Sequence, residues 1–587
     1  MAQDTGSEGE PIELDTLSVV GSRTTADLPL RTRAVEVLDR ATLDRLPARN
    51  LTQALEWGVS LDLASRSPAQ ADLSIRGAGF EQMLVLVDGV RMSDPQTGHF
   101  DLDLAVPLDR VERIEILRGP GAGIYGSDAV GGVVNIVTRE SSAWAGRLEG
   151  GSFGSVLGAL HGGVDLPARG SLQFSGEVAR SDGHREGTEW ESSIGTASLR
   201  YPLAEGTLRL ESGLARRAFG AEGFYAPFPS FETTDTWTAH LTWRSNPSRQ
   251  ISLEPGLSWR SHGDDFILDR HEPEAYRNRH TSEQVGASLV ARGAIRQTVS
   301  LAAGSEVARH DLRSTALGDR TEARGAVFAE IGWRPTLGPA LMAGLRHDHY
   351  EQWGGFTSPS LSLGMDVSER LELRASAGRA FRGPSWTERH YRDPVHEANA
   401  ELDPEESTAL EFGGTLHSAS GRGQLSLTGF RRASRHLIDW ARPIDSPEAL
   451  WVTRNVNRSV TRGLEAEGAW MPGRRTRVEL AASWLALEAD ADDRFQSKQL
   501  LRPIRDRVRI SLIQALPGNL QGAFHLARSR RAGDLSYEEL DLRIQLPSRV
   551  GMWYLDGRNL TNSRHLDITG NPVAGRAVYL GLELRGR

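Results

Sequence analysis

From Gly146 to the C-terminal end the chain repeats one pattern. Apolar and polar side chains alternate at every second residue, and turn residues break the alternation at short intervals. Val478, Leu480, Ala482 and Trp484 share one face of their segment, as do Leu371, Leu373, Ala375 and Ala377, and Val578, Leu580, Leu582 and Leu584. In segment 464–470 the opposite face carries Glu465 and Glu467. Period 2 is the mark of a β-strand with two unlike faces. Two packed soluble sheets stop growing at modest size. A closed membrane barrel accommodates about 440 such residues, because lipid meets one face and a polar lumen the other. It does so without any run of ~18–20 apolar residues. The hydrophobic content of 39% therefore looks soluble only because alternation averages it. Trp and Tyr near segment ends suit interfacial girdles.

The first quarter of the chain reads differently. Residues 1–11 are polar and acidic and are expected to form a disordered tail. Ala2-Gln3-Asp4 after Met1 resembles a mature start exposed by removal of a signal peptide. Residues 12–26 form a linker with an extended run at 14–20, 27–141 a compact mixed α/β unit, and 142–587 the barrel. Asn50 suits the cap of a short helix carrying Leu51 and Leu55 and closed by Gly58. Short strands are predicted at 73–76, 84–87, 113–117 and 133–138, with Asp88-Gly89 as a hairpin turn. The chain has no Cys, which excludes disulfides and thiolate metal sites. Its net charge of −9 gives no reason to expect nucleic acid.

Three apparent enzyme motifs carry little. Gly121-Ala122-Gly123-Ile124-Tyr125-Gly126 has dinucleotide-fingerprint spacing, but that fingerprint needs a helix, and Gly131-Gly132 and a strand follow instead. Gly150-Gly151-Ser152-Phe153-Gly154 matches a nucleophile elbow but reads as the interior of a Gly-rich strand. His347-Asp348-His349 is expected to be a solvated loop or lumen pair rather than a metal site.

Residues 73–138 are the informative region. They hold Ile75-Arg76-Gly77, Val87-Asp88-Gly89-Val90-Arg91, Val111-Glu112-Arg113-Ile114-Glu115-Ile116-Leu117-Arg118-Gly119-Pro120, and Tyr125-Gly126-Ser127-Asp128-Ala129-Val130-Gly131-Gly132-Val133-Val134-Asn135-Ile136. This ordered series resembles the plug domain of TonB-dependent receptors. Downstream, Gly378-Arg379-Ala380-Phe381-Arg382-Gly383-Pro384-Ser385-Trp386-Thr387-Glu388, Leu402-Asp403-Pro404-Glu405-Glu406-Ser407, Leu410-Glu411-Phe412-Gly413, Asp556-Gly557-Arg558-Asn559-Leu560-Thr561-Asn562 and Gly575-Arg576 resemble the same family's barrel.

The resemblance implies a 22-stranded antiparallel transmembrane β-barrel with an N-terminal α/β plug in its lumen, spanning the bacterial outer membrane as a monomer. It implies active import of a scarce nutrient, with no catalysis and no resident cofactor. TonB, the periplasmic partner, is expected to grip Asp15-Thr16-Leu17-Ser18-Val19-Val20 by strand addition. Gln96, Thr97, His99 and Phe100, in an apical plug loop at 93–104, are candidate ligand contacts. Strand parity turns Glu411 and Glu465 inward, and the family's matches imply that Arg76 and Arg118 pair with them to hold the plug. The imported ligand is expected to be cobalamin-like, with a ferric siderophore or haem as alternative, and calcium in the outer loops is open. A soluble β-rich adhesive protein is the alternative from another class. Family chains usually end on an aromatic residue used in barrel insertion. This one ends Leu584-Arg585-Gly586-Arg587, which implies less efficient assembly.

Overall fold

A computed structural model describes residues 20, 22–24, 32–67, 69–223, 227–245, 251–490, 494–498, 503–533, 536–567 and 570–586. Of the run 15–20, only Val20 lies within the described residues.

The N-terminal unit is built on a five-stranded mixed sheet. Its order is Val35–Asp39, Val111–Arg118, Gly132–Thr138, Met83–Val87 and Val90–Arg91. A separate hairpin pairs Leu61–Ser67 with Gln70–Ile75. The apolar runs that read as strands in the sequence are largely buried, and Ile75, Val85, Ile114, Ile116, Val134 and Ile136 form one core with Leu55. Asn50 caps the helix Leu51–Leu55 by accepting from the Gln53 amide. Asp88 and Gly89 both take positive φ, 49° and 81°, the geometry of the tight turn their sequence demands. The first strand, the hairpin strand Leu61–Ser67 and the two-residue Val90–Arg91 carry too little periodicity to be read in advance.

Around this unit closes a barrel of twenty-two long antiparallel strands, from Ala145–Gly151 to Ala577–Arg585, which pair with each other to seal the wall. Two short segments, His396–Glu397 and Phe495–Ser497, add onto strand tips within loops. The alternation maps as physics requires. Leu410, Phe412, Leu464, Trp484, Val578 and Leu580 are exposed on the outer wall, while Glu465 is buried inside. No helix is long and apolar enough to cross a membrane, so crossing falls to the strands. Connections at one end are short turns such as 167–169 and 204–205, whereas 383–404 and 559–576 at the other end are long loops. Short turns mark the periplasmic end and long loops the extracellular end. Trp144, Trp333, Trp470 and Trp553 stand exposed near the periplasmic turns.

Two local readings are corrected, and a third holds. No helix follows the Gly121–Gly126 motif; a single helical turn lies inside it, at Ala122–Tyr125. The sequence masks it because the turn lies inside the motif, and Gly126 at φ 85° ends it. Ser152 lies in the turn between strands Ala145–Gly151 and Ser155–Leu166, not within a strand, since Gly154 takes a positive φ of 59°. His347 and His349 are neither in a loop nor in the lumen. They point outward from strand Ala340–Tyr350, and Asp348 between them is buried inside with Arg346.

Candidate functional site

The plug is fastened to the wall by buried charge. Arg76 sits at φ 51°, next to Gly77 at 67°, in the turn leaving strand Gln70–Ile75. This uncommon backbone aims its guanidinium at the barrel. Its Nη2 lies 2.6 Å from Glu465 and its Nη1 2.7 Å from Glu411, and it stacks 4.1 Å over the Phe430 ring. Burial would lower the Arg76 pKa, but Glu465 and Glu411 outweigh it and hold the pKa above its ordinary value. Arg118 lies 3.3 Å from Glu465 and pairs with Glu467 rather than Glu411. Ser60 donates to Glu465 at 2.6 Å, and the Ala34 amide to Glu411 at 3.2 Å. Glu467 was visible in the sequence as the second acid on the Glu465 face; only the identity of its partner was not.

A second fastening surrounds the short helical turn. Gly123 leaves room for Ser360, whose Oγ would lie 2.6 Å from an added Cβ, and Gly126 does the same for Arg346 and Asp348. The Gly-x-Gly-x-x-Gly spacing therefore serves close approach to the wall. Arg346 is fully buried and bridges Asp348 and Glu306. Glu306 also takes Arg23 at 3.1 Å, while Ser22 and Thr24 hydrogen-bond Glu330. Val20 is buried against Leu117, Tyr125 and Val133, and its amide donates to Glu115 at 2.8 Å. The expected TonB-binding run thus ends inside the lumen near the periplasmic turns. Asp15, Thr16, Leu17, Ser18 and Val19 lie outside the described residues.

At the extracellular end the loop around residues 93–104 is clamped rather than open. Asp94 is buried against Arg260 at 2.5 Å and Ser282 at 2.7 Å, which draws the loop to the wall. The loop helix Trp386–His390, capped by Ser385 and Glu388, covers it. The Trp386 amide donates to Pro95 and the Thr387 amide to Gln96. Arg382 ties Glu388 to Glu405, and Glu405 accepts from Gln82 of the plug. Gln96, Thr97 and Phe100 are buried as a result. His99 is partly exposed, 2.8 Å from Asp72 and stacked on Phe80. In this conformation three of the four are therefore closed off from solvent.

An open cleft lies between plug segment 52–63, the strands Ile504–Ala515, Gln521–Arg531 and Ser536–Pro547, and the outer loop 559–576. Its arginines are engaged. Arg531 pairs with Asp62 at 2.6 Å and Arg558 with Glu56 at 2.6 Å, while Arg507 and Arg509 donate to the carbonyls of Leu61 and Trp57. Glu539, Asp541 and Asp567 complete the lining. Neutral groups remain for a ligand. Trp57 Nε1 is buried with no hydrogen-bond partner among the described residues, and Tyr537 stacks on His565 at 3.7 Å. Desolvation pulls the His565 pKa down to about 4 and also lowers that of His184, leaving both imidazoles neutral at pH 7. These residues come from the plug, the loop holding His184 and the last third of the barrel, and no local motif announces them. Among the described residues no cluster of three or more His, Asp or Glu has metal-site geometry.

The comparisons with known proteins match this architecture. The model for TonB dependent receptor-like β-barrels matches residues 132–573, and that for the TonB-dependent receptor plug domain matches residues 31–133. The chain belongs to the TonB-dependent receptor family. It is an integral outer-membrane protein with a plugged lumen. The receptor is 24% identical over 500 residues to a vitamin B12 transporter of Photobacterium profundum, covering 81% of this chain and 78% of that one. It is 25% identical over 444 residues to that of Vibrio cholerae, covering 69% and 68%. In fold it is similar to the Pseudomonas aeruginosa ferric enterobactin receptor in complex with enterobactin, with TM-score 0.79, 20% identity and coverage of 94% and 99%. The Neisseria meningitidis FrpB iron transporter also gives 0.79, at 13% identity and the same coverage.

Proposed function

We propose that this receptor imports a corrinoid of the cobalamin type, drawing on TonB for energy and catalysing no reaction. The cleft's charge balance carries the reading. Four arginines face five carboxylates, and the guanidinium groups are held by acids and carbonyls. A multiply anionic ferric catecholate would meet a lining with no excess of positive charge. A neutral, amide-rich corrinoid would find what amides need: donors and acceptors such as the Trp57 indole, the Tyr537 phenol and the His565 imidazole, set among apolar groups. The vitamin B12 transporters with similar sequence support the same reading. A ferric siderophore is the second reading, favoured by the solved structures of like fold.

The test is equilibrium binding to detergent-purified receptor, with cyanocobalamin and ferric enterobactin as probes. Cyanocobalamin should bind at least tenfold more tightly, and Trp57→Ala together with Tyr537→Ala should weaken it by at least tenfold. Preference for the ferric catecholate would overturn the corrinoid reading.

TonB is proposed to engage residues 15–20 by adding that run to its own sheet edge. Proline at Leu17 or Val19 removes a ladder donor and fixes φ. Either variant should abolish uptake in cells and leave binding of cyanocobalamin to purified receptor unchanged. Normal uptake by both variants would place the coupling segment elsewhere.

A further inference from the structure

The outer wall carries a patch that lipid contact alone does not explain. On strands Gly423–Pro443 and Trp451–Gly473, Arg431 lies directly opposite Arg462, and Arg435 directly opposite Arg458. All four are exposed on the lipid-facing side, in line with Leu425 and Leu427 on one strand and Leu464 on the other. Directly opposed residues stand ~4.5–5.5 Å apart at Cα, and like charges so placed repel. Arg379 on strand Leu371–Arg382 extends the row and shares Glu406 with Arg435. Among the described residues Arg462 pairs with Glu488 alone, at 3.5 Å, with both side chains more than half exposed. No carboxylate opposes Arg431, whose outward cross-strand neighbours are Leu410 and Arg462. Among the described residues, the five arginines of this row face two carboxylates, Glu406 and Glu488.

The apolar belt is also thin here. On strand Arg277–Arg296 outward apolar or small residues run from Val285 through Ala287, Leu289, Ala291 and Gly293 to Ile295. On strand Trp451–Gly473 they run only from Leu464 through Ala466 and Gly468 to Trp470. Two fewer outward positions on a strand tilted by ~45° shorten the belt by roughly 10 Å. Strands Gly423–Pro443 and Trp451–Gly473 carry the opposed arginines on the side of the extracellular loops, so positive charge is brought down toward the acyl region of the outer leaflet. Directly beneath lies a shallow apolar groove lined by Leu361, Leu363, Leu410, Phe412, Leu464 and Trp484. Small residues at Ala375, Ala377 and Ala466 belong to the same wall.

We infer that this face is a binding site for one phosphorylated, multiply acylated glycolipid of the outer leaflet. Its phosphates would bridge the opposed guanidinium pairs, a geometry that suits arginine better than lysine, and its acyl chains would fill the groove. Charge complementarity selects the occupant. An apolar groove alone would accept any lipid, but the opposed pairs call for more than one negative charge, set low and close to the chains. A zwitterionic phospholipid has no net charge to offer, and a monoanionic glycerophospholipid satisfies one pair at most.

Native mass spectrometry of the full receptor in detergent tests the assignment. The probes are bis-phosphorylated lipid A, monophosphoryl lipid A, phosphatidylglycerol and phosphatidylethanolamine, each at equal concentration. One bis-phosphorylated molecule should be retained at least tenfold better than any other probe, with retention falling as ionic strength rises. Arg431→Gln with Arg462→Gln should remove that preference, whereas Arg216→Gln, an exposed arginine elsewhere on the wall, should keep it. Heat-modifiable gel mobility checks that each variant is folded. Equal retention of all four lipids by the native receptor would overturn the site without recourse to any variant. Unchanged preference in the double variant would do so as well.

Discussion

Glu465 is the carboxylate on which the plug's two landmark arginines converge, and it also accepts from Ser60, whereas Glu411 meets one arginine and one amide. Removing one member of a buried pair leaves the other charge uncompensated, at a cost of about 3–5 kcal/mol. Glu465→Ala should therefore loosen the plug more than Glu411→Ala. The readout is faster amide exchange across residues 73–77 and 111–118 and greater entry of large antibiotics into cells. Equal exchange in native receptor and Glu465→Ala would show that the cluster holds nothing. Glu81 offers a pH-dependent counterpart. Burial and neighbouring Glu388 push its pKa up to about 8, against Arg382, the Gly98 amide and Thr97. A carboxyl raised in the folded state stabilises its surroundings while protonated. That contribution is lost as pH climbs from the ordinary carboxylate range through about 8. Amide protection factors in loop 93–104, which remove the base-catalysed rise of the intrinsic exchange rate, should fall between pH 5.5 and 8.5, and Glu81→Gln should flatten the change. At this scale the sequence was partly legible. Parity is a local property, so the inward faces of residues 411 and 465 could be read from Leu410, Phe412 and Leu464. The choice of Glu467 by Arg118 depends on how far the plug is rotated in the lumen, which no local pattern encodes.

Among the elements, the single helical turn Ala122–Tyr125 does more than its length suggests, because it is where plug backbone meets the wall most closely. Adding one methyl at residue 123 overpacks a contact with no slack, a change worth about 1–3 kcal/mol. Gly123→Ala should slow plug docking and raise leak to large solutes, and Ser360→Gly in the same chain should restore both, since Ser360 Oγ and Cβ are the atoms it meets. Failure of that rescue would place the defect elsewhere. The strands of the barrel were legible because each writes its own two faces, and the plug core because its strands are continuous apolar runs. The loop helix Trp386–His390 was legible only as part of a family-like motif. Its role as a cover over residues 95 and 96 arises from a contact between segments almost three hundred residues apart. The cleft was illegible for the same reason: Trp57, Tyr537 and His565 share no sequence neighbourhood.

For the whole molecule, the wall is sealed where strand Ala145–Gly151 meets Ala577–Arg585. The seal is reinforced from within. The Tyr554 hydroxyl reaches across the last strand to Glu149 on the first at 2.9 Å, and Arg49 of the plug pairs with the same carboxylate. Tyr554→Phe leaves a buried acceptor short of one donor, at a cost of about 1–3 kcal/mol. It should lower the temperature at which the fast-migrating folded band is lost on gels, and Glu149→Ala should lower it further. An unchanged transition in both would remove any role for this contact in holding the seam. The seam also orders events in time. Its two strands stand at opposite ends of the barrel sequence, and pairing of such distant segments is slow because so much chain must be brought together first. The plug, upstream of every wall strand and built from neighbouring segments, has the means to fold early. The strands that grip it at residues 411 and 465 come before the final one. The last hydrogen bonds of the wall would thus form around a passenger already aboard, and the vessel is finished only after it is loaded.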